Sequence, residues 1–251
     1  MRNNEKIITM SIDMYLSNLS SRKMRNQLNR HFGTKISHIS ILDWVRKYVM
    51  KVQKYVNKFQ PKLGGKIYAD ETICMRKKNQ DVFWCSVDWD TRFINATLYS
   101  PQDQNLTDAT QFMNSIRKSS NSISEVTTDS LGVYIPAFKK VFYSNKGKRT
   151  EQTKHTAINF SKSGKHNVRI ETVFSKIKDR VYDFRGLKAL WSAPILLAGI
   201  VLQHNWIEQH TTLKDYPCQR AGLKLETGQN RWLGLIRIAT TSASKTELPK
   251  L

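Results

Sequence analysis

Residues 66–100 read KIYADETICMRKKNQDVFWCSVDWDTRFINATLYS, and their pattern decides the fold. KIYADETICM (66–75), DVFWCSVDWD (81–90) and TRFINATLYS (91–100) are rich in β-branched and aromatic residues. The polar KKNQ separates the first two, and a turn near Asp90-Thr91 separates the last two. Three such runs with short connections predict an antiparallel meander. Outward from it, QNLTDATQFMNSIRKSS (104–120) places Leu106, Ala109, Phe112, Met113 and Ile116 at helical spacing. SISEVTTDS (122–130) reads as a short strand ending at Asp129. GVYIPAFKKVF (132–142) reads as a helix, its Pro136 tolerated only near the first turn. A basic, poorly patterned stretch, SNKGKRTEQTKH (144–155), follows. VRIETVFSKIKDRVYDF (168–184) is amphipathic, with Ile170, Phe174, Ile177 and Val181 on one face. Gly186 ends it, and a last apolar helix is expected from about Lys188 to His210. The order β-β-β-α-β-α followed by helices specifies an α/β core.

The chain before this core is basic and helical. Residues 1–65 hold thirteen Lys/Arg against three Asp/Glu. Ser20 and Ser21 precede RKMRNQLNRHF as good helix caps, and Met24, Leu28 and Phe32 follow at helical spacing. Gly33 breaks that helix. Ser37 or Ser40 caps a second one, with Ile41, Leu42, Val45 and Val49 on one face. Two short helices joined by a Gly-containing turn form a helix-turn-helix pattern, and a plain helical hairpin has the same pattern. As a DNA reader, the second helix would offer Ser37, His38, Ser40, Asp43 and Arg46 to a groove. The expected division is a helix-turn-helix domain over 1–63, a core over 64–210, and an extension over 211–251. That extension loses periodicity and ends in TTSASKTELPKL, a loose, partly disordered tail.

Composition sets the class of partner. Of 251 residues, 41 are Lys or Arg and 20 are Asp or Glu, a formal charge of +21. This excess argues against small neutral substrates and favours a polyanion, nucleic acid before acidic membrane. With 39% hydrophobic residues and six Trp, the chain can bury a sizeable core. Cys74, Cys85 and Cys218 are too scattered for a disulfide framework or a zinc quartet. The six His show no ligand spacing, and His204 on an apolar helix reads as a satisfied core residue. MRNNEKIITM lacks the apolar run of a signal peptide. The stretch Trp191–Trp206 is too short to span a bilayer. A cytoplasmic, nucleoid-associated protein with no membrane partner is expected.

In so basic a chain, carboxylates inside apolar segments stand out. Asp70 lies within the first strand, Asp129 at the end of the fourth, and Glu171 one position from the core stripe of the amphipathic helix. Each has an ordinary structural explanation: a lysine-paired strand acid, a helix cap, and a surface helix pair. Taken together they offer oxygen ligands from separate elements, which suit hard cations such as Mg²⁺. Two such ions about 4 Å apart activate water and stabilise a leaving oxygen in phosphodiester cleavage. Glu71 adjoins Asp70 but is expected on the opposite face of the strand. Asp88 and Asp90 read as turn residues, and Trp44 and Trp84 as core.

The chain resembles the DDE transposases of prokaryotic insertion sequences, which carry an integrase-type (RNase H-like) catalytic core. Four stretches carry the resemblance: LSSRKMRNQLNRHFGTKISHISILDWVRKYV, YADET, TTDSLGVY and NVRIETVFSKIKDRVYDFRGL. In the last, Asn167, Glu171, Lys178, Arg180 and the Phe184-Arg185-Gly186 turn match the pattern around the family's final glutamate. The match spans roughly residues 15–210. It implies an RNase H-like α/β core preceded by a small all-α helix-turn-helix domain. It also implies Asp70, Asp129 and Glu171 as catalytic acids and ligands for two Mg²⁺ or Mn²⁺ ions. Lys178, two helical turns beyond Glu171 and on the same face, is implied near the scissile phosphate, with an ordinary surface lysine as the alternative. Arg180 and Arg185 are weaker candidates for phosphate contacts. The Asp129–Glu171 interval holds 41 residues, longer than is usual for the group, and the excess fits the basic segment 144–165. Some relatives carry more sequence before the first helix, so this chain could be a shortened copy.

The resemblance implies a transposase that binds the terminal inverted repeats of its element, cuts there, and transfers the strand into target DNA. It implies no covalent enzyme–DNA intermediate. Synapsis of two ends implies a homodimer or higher oligomer on double-stranded DNA. A DNA-binding regulator that no longer cuts is the alternative from another class. An RNase H-type nuclease or resolvase is a third, disfavoured by the helix-turn-helix. The charge argues against a glycosidase with paired carboxylates.

Overall fold

A computed structural model of the chain describes residues 4–101, 104–143, 153–158, 168–183 and 186–246. Three helices open the chain. α1 (Glu5–Leu16) is capped by Asn4, which accepts the Lys6 N–H at 2.8 Å, and it buries Ile8, Ile12 and Leu16 at four-residue spacing. α2 (Ser21–Phe32) is capped by Ser20 and ends at Gly33, whose φ of 61° is the left-handed turn a glycine accepts readily. α3 (His38–Val56) is capped by Ser37, which accepts the Ser40 N–H at 3.0 Å. The turn between α2 and α3 is tied by Asn29. Its Oδ1 accepts from Ile36 N–H (3.0 Å) and the Thr34 hydroxyl (2.8 Å), and its Nδ2 donates to Ile36 O (3.2 Å). Met24, Leu28, Ile36 and Ile41 form a small core of their own beneath that turn. The sequence had shown α2 and α3 with their caps, but it had not shown α1.

The expected meander is present. β1 (Lys66–Arg76), β2 (Asn79–Asp88) and β3 (Ile94–Ser100) pair antiparallel. α4 (Leu106–Ser119) leads to β4 (Glu125–Thr128), which returns parallel to β1. After α5 (Tyr134–Phe142), β5 (Lys154–Ala157) adds parallel to β4. The sheet order is β3-β2-β1-β4-β5. β5 begins in the last two residues of the basic stretch read as poorly patterned. Its four residues show no alternation of burial, so period-2 reasoning had nothing to detect. Instead it is held by pairing and by the Thr156 hydroxyl, which donates to Glu125 Oε1 at 2.6 Å.

The two sheet faces bury different helices. Ile67, Ala69, Val82 and Trp84 pack with α4, α5, α1 and α3 in the larger core. Phe83, Cys85 and Val87 face α6 (Val168–Asp183), which buries Ile170, Val173, Phe174 and Ile177. α7 (Ala193–Leu202) contributes to both cores and continues as a π-turn over Gln203–Ile207. There Asn205 pairs with both main-chain groups of Ile94, at 2.9 Å each, and so satisfies the end of β3. His204 is buried as expected; its Nε2 lies 2.8 Å from Arg92 O, and burial pushes its pKa down to about 4. Asp88 is a turn residue, accepting from Gly65 N–H, Thr91 N–H and the Thr91 hydroxyl.

The C-terminal segment departs from expectation. After α8 (Pro217–Arg220), α9 runs from Arg231 to Thr246, covering much of what had read as a loose tail. Trp232, Leu235, Ile236 and Ala239 are buried at i, i+3, i+4, i+7, and the first three join the core shared by α1, α3 and the sheet. Gly234 stands in the first turn of α9, where glycine is a poor helix former. It is needed because the Thr227 main chain passes within 2.0 Å of where a Cβ would stand. One apolar core therefore runs from α1 through the sheet to α9. No described helix is long and apolar enough to cross a membrane.

Candidate active site

β4 pairs with β1 only over Lys66–Tyr68. Among the described residues that edge of β1 is open from Asp70 until Met75, whose carbonyl accepts the Leu187 N–H, and β4 ends at Thr128, one residue before Asp129. Parallel pairing brings the two strand ends together, so Asp70 and Asp129 meet at the mouth of the sheet. Carboxylate oxygens of Asp70, Glu71 and Asp129 all lie within 4.8 Å of one another.

The role of Glu71 is a correction. Strand alternation does place it on the opposite face from Asp70, across from Trp84, whereas Asp70 pairs with Cys85. Yet the strand edge is open there, so side chains from both faces reach the same gap. Glu71 is anchored on its own face. Buried Tyr134 of α5 donates its hydroxyl to Oε2, and Gln104 Nε2 donates to Oε1 at 3.0 Å. Tyr134 is itself set edge-on against Trp84, with ring centroids 5.6 Å apart. Asp70 Oδ1 accepts the Glu71 N–H at 2.9 Å, and Asp129 Oδ1 accepts the Leu131 N–H at 3.0 Å.

The electrostatics report a crowded anionic site. Burial, then the charges of Asp129 and Glu171, raise Asp70 to about 6, against the lowering effect of its hydrogen bond and of Lys178. Burial raises Glu71 to about 7; the Tyr134 hydrogen bond opposes this, while Asp129 and Asp70 add to it. Half-buried carboxylates this close together resist simultaneous ionisation unless a cation joins them. The donors are all hard oxygens from three chain positions, a set that fits Mg²⁺ or Mn²⁺ and not a soft metal.

Glu171 sits in the first turn of α6, exposed, with its charge felt at Asp70. It is not among the three carboxylates that converge. Lys178 is also exposed, and its charge reaches both Asp70 and Cys74. Arg180 is placed differently from expectation. It is 1% exposed, with its guanidinium 4.5 Å from the Tyr15 ring centroid, and burial lowers its pKa to about 10. Nine residues along a helix is half a turn out of phase, so Arg180 points away from the Glu171 face and joins α6 to α1. Phosphate contact by Arg180 is not supported in this arrangement. Arg185, with Asn167 and Phe184, lies outside the described residues.

On α3, the Ser37 and Ser40 hydroxyls lie 2.9 Å apart at the helix start, and His38 is half-buried between them in sequence. Arg46, two turns further on, is directed to the seam with α7. It bonds Asp43 at 3.2 Å and lies 4.7 Å from the Trp191 ring centroid.

The family model DDE_Tnp_IS240, described as a DDE domain, matches residues 65–210. No curated protein matches the chain significantly. Among solved structures, the simian T-cell lymphotropic virus intasome with PP2A regulatory subunit B56 gamma is similar at TM-score 0.47 and 13% identity. The match covers 67% of this chain and 58% of that one, so this chain spans less than two thirds of its length. The HTLV-2 integrase catalytic core domain in complex with magnesium is similar in its dimeric form at TM-score 0.44 and 11% identity, covering 65% of this chain and 98% of that one. Its trimeric form gives 0.41 and 12% at the same coverage. The family match spans more than half of the chain and all three acids of the cluster, and the chain belongs to the DDE-domain family.

Proposed function

We propose that this protein is a transposase that binds the ends of its mobile element and catalyses metal-dependent DNA strand cleavage and strand transfer. The observation that carries the reading is the convergence of Asp70, Glu71 and Asp129 at an open strand edge, with Glu171 and Lys178 of α6 beside it. The RNase H-like assignment of the core is supported by the sheet order β3-β2-β1-β4-β5 with helices on both faces.

Asp70, Asp129 and Glu171, with Glu71 alongside, would hold two Mg²⁺ or Mn²⁺ ions. Bound divalent cations there supply an activated water and stabilise the leaving oxygen in phosphodiester displacement. In the first step water attacks phosphorus at the element end; the P–O3′ bond breaks and a 3′-OH is freed. In the second, that oxygen attacks a target phosphate, a new P–O bond forms, and the target's own 3′ oxygen leaves. Lys178, exposed beside the carboxylates, meets the phosphate at the cut.

The α2–α3 pair acts as the helix-turn-helix reader of the terminal repeats. Exposed Arg22, Lys23, Arg30 and Lys35 would supply backbone affinity, and His38 and Ser40, at the start of α3, would be offered to the groove. Ser37 serves chiefly to cap that helix. Pairing of two element ends requires a homodimer or higher assembly on double-stranded DNA.

The test is cleavage of the element's own flanking repeats in Mg²⁺ and then Mn²⁺, with Asp70→Asn, Asp129→Asn and Glu171→Gln beside wild type. Wild type should cut at the repeat end while each variant binds without cutting. Binding without cutting by wild type would favour the regulator instead. Cutting by the variants would overturn the site.

A further inference from the structure

Glu171, Lys178 and Tyr182 are separated by seven and then four residues on α6. At 3.6 residues per turn they fall within about 20° of a single line along the helix. All three are exposed, and Tyr182, at 83%, is the most exposed large apolar side chain among the described residues. Opposite this stripe runs the open edge of β1, where Ile73 and Met75 stand 49% and 43% exposed. Leu187 closes the far end by bonding to the Met75 carbonyl at 2.7 Å, and Gly186 passes too close to that carbonyl for any side chain.

Between stripe and edge lies a groove of 620 Å³, lined on the strand side by Ile73, Cys74 and Met75 and on the helix side by Lys178, Val181, Tyr182 and Asp183, with Gly186 at its end. Its size is that of a small-ligand site. On α6 its lining runs from Lys178, whose charge is felt at Asp70, to Asp183, about 7.5 Å of helix rise. That length is about two stacked base steps.

We infer that this groove takes an unpaired nucleobase of the DNA strand whose phosphate lies at the acidic cluster, stacked on the Tyr182 ring. This rests on the transposase reading. The occupant must be joined to an anion at the Lys178 end and present a flat apolar face at the Tyr182 end, and a nucleotide strand does both. Ile73 and Met75 form the apolar floor against the base edge. An aromatic platform beside a cation is also how single strands are held without sequence preference.

The probe is a short duplex with an unpaired 3′ end carrying 2-aminopurine, compared with a fully paired duplex, both in EDTA so that cutting plays no part. Wild type should bind both at low salt and quench the unpaired 2-aminopurine. Tyr182→Ala should lose the quench and bind the unpaired end about ten-fold more weakly, with the paired duplex unaffected. Tyr182→Trp should restore both signals. The exposure of Tyr182 keeps these variants folded, which circular dichroism checks. If wild type binds DNA but Tyr182→Ala quenches equally, or weakens both duplexes alike, the inference falls while the transposase reading stands. Loss of self-association in Tyr182→Ala with unchanged quenching would assign the groove to a second copy and overturn it. Failure of wild type to bind either duplex would sink the transposase reading itself.

Discussion

Tyr134 of α5 donates its hydroxyl to Glu71 of β1, so a fully buried phenol holds one carboxylate of the acidic cluster in place. The bond ties the helix after β4 to the strand that carries Asp70. Tyr134→Phe keeps the ring against Trp84 and removes only the donor. The expected loss is about 1–3 kcal/mol of stability, the cost of leaving a buried acceptor short of a partner. Urea denaturation above pH 7, where Glu71 is charged, measures it. A variant as stable as wild type would mean that the bond carries no weight.

The raised carboxylates set a pH dependence. Asp70 moves from 3.8 to about 6 and Glu71 from 4.5 to about 7, so the folded state binds more protons than the unfolded state between those limits. Stability of the metal-free protein should therefore fall as pH rises from about 4 to about 7 through these groups. Mg²⁺ should raise Tm more at pH 8 than at pH 5, because only ionised ligands bind it. A Mg²⁺ effect independent of pH would contradict the site.

Replacing one acid should separate repulsion from function. Asp70→Asn removes a charge from three carboxylates lying within 4.8 Å. Without metal at pH 8, its Tm should equal or exceed that of wild type. With Mg²⁺, its Tm should no longer rise. Differential scanning fluorimetry with and without Mg²⁺ reads both effects, independently of any cleavage.

Two basic residues on α6, two positions apart, should behave in opposite ways. Lys178→Ala, at an exposed position, should leave stability unchanged and flatten the salt dependence of DNA binding by about one unit of log–log slope. Arg180→Ala empties a buried site against Tyr15 and should lower Tm without changing that slope in the folded protein. Fluorescence anisotropy across a salt series, with parallel melts, tests the contrast.

The C-terminal helix should be structural. Trp232 is 1% exposed and donates its indole N–H to Gln203 Oε1 at 2.8 Å. Trp232→Ala should cost about 3–5 kcal/mol, the usual loss for a buried large aromatic. Chemical denaturation that found less than 1 kcal/mol would return residues 231–246 to the status of an appendage.

Local chemistry made much of this protein legible in its sequence. Ser20, Ser37 and Gly33 marked helix ends because capping needs only neighbouring atoms. The strand runs of 66–100 and the amphipathic stripe of α6 were visible because burial on one face imposes a period. Asp70 and Asp129 stood out as acids at strand positions, and their parallel strands do bring them together. Pairwise geometry across the fold was not visible. Glu71 was set aside by strand alternation, which holds for the strand, but the short β4 leaves an edge where both faces meet. Arg180 looked like a surface cation until α1, an element with no strong signal, covered it. β5 exists only because β4 offers it a partner, and α9 tolerates Gly234 only because Thr227 passes there. The sequence by itself determined the capped helices α2 and α3, the strand runs of the sheet, the amphipathic α6 and the acids at the strand ends, since those depend on contacts between near neighbours. Only the tertiary structure decided which charges meet, which are buried, and that the last helix completes the first core, because those depend on distances between residues far apart in the chain.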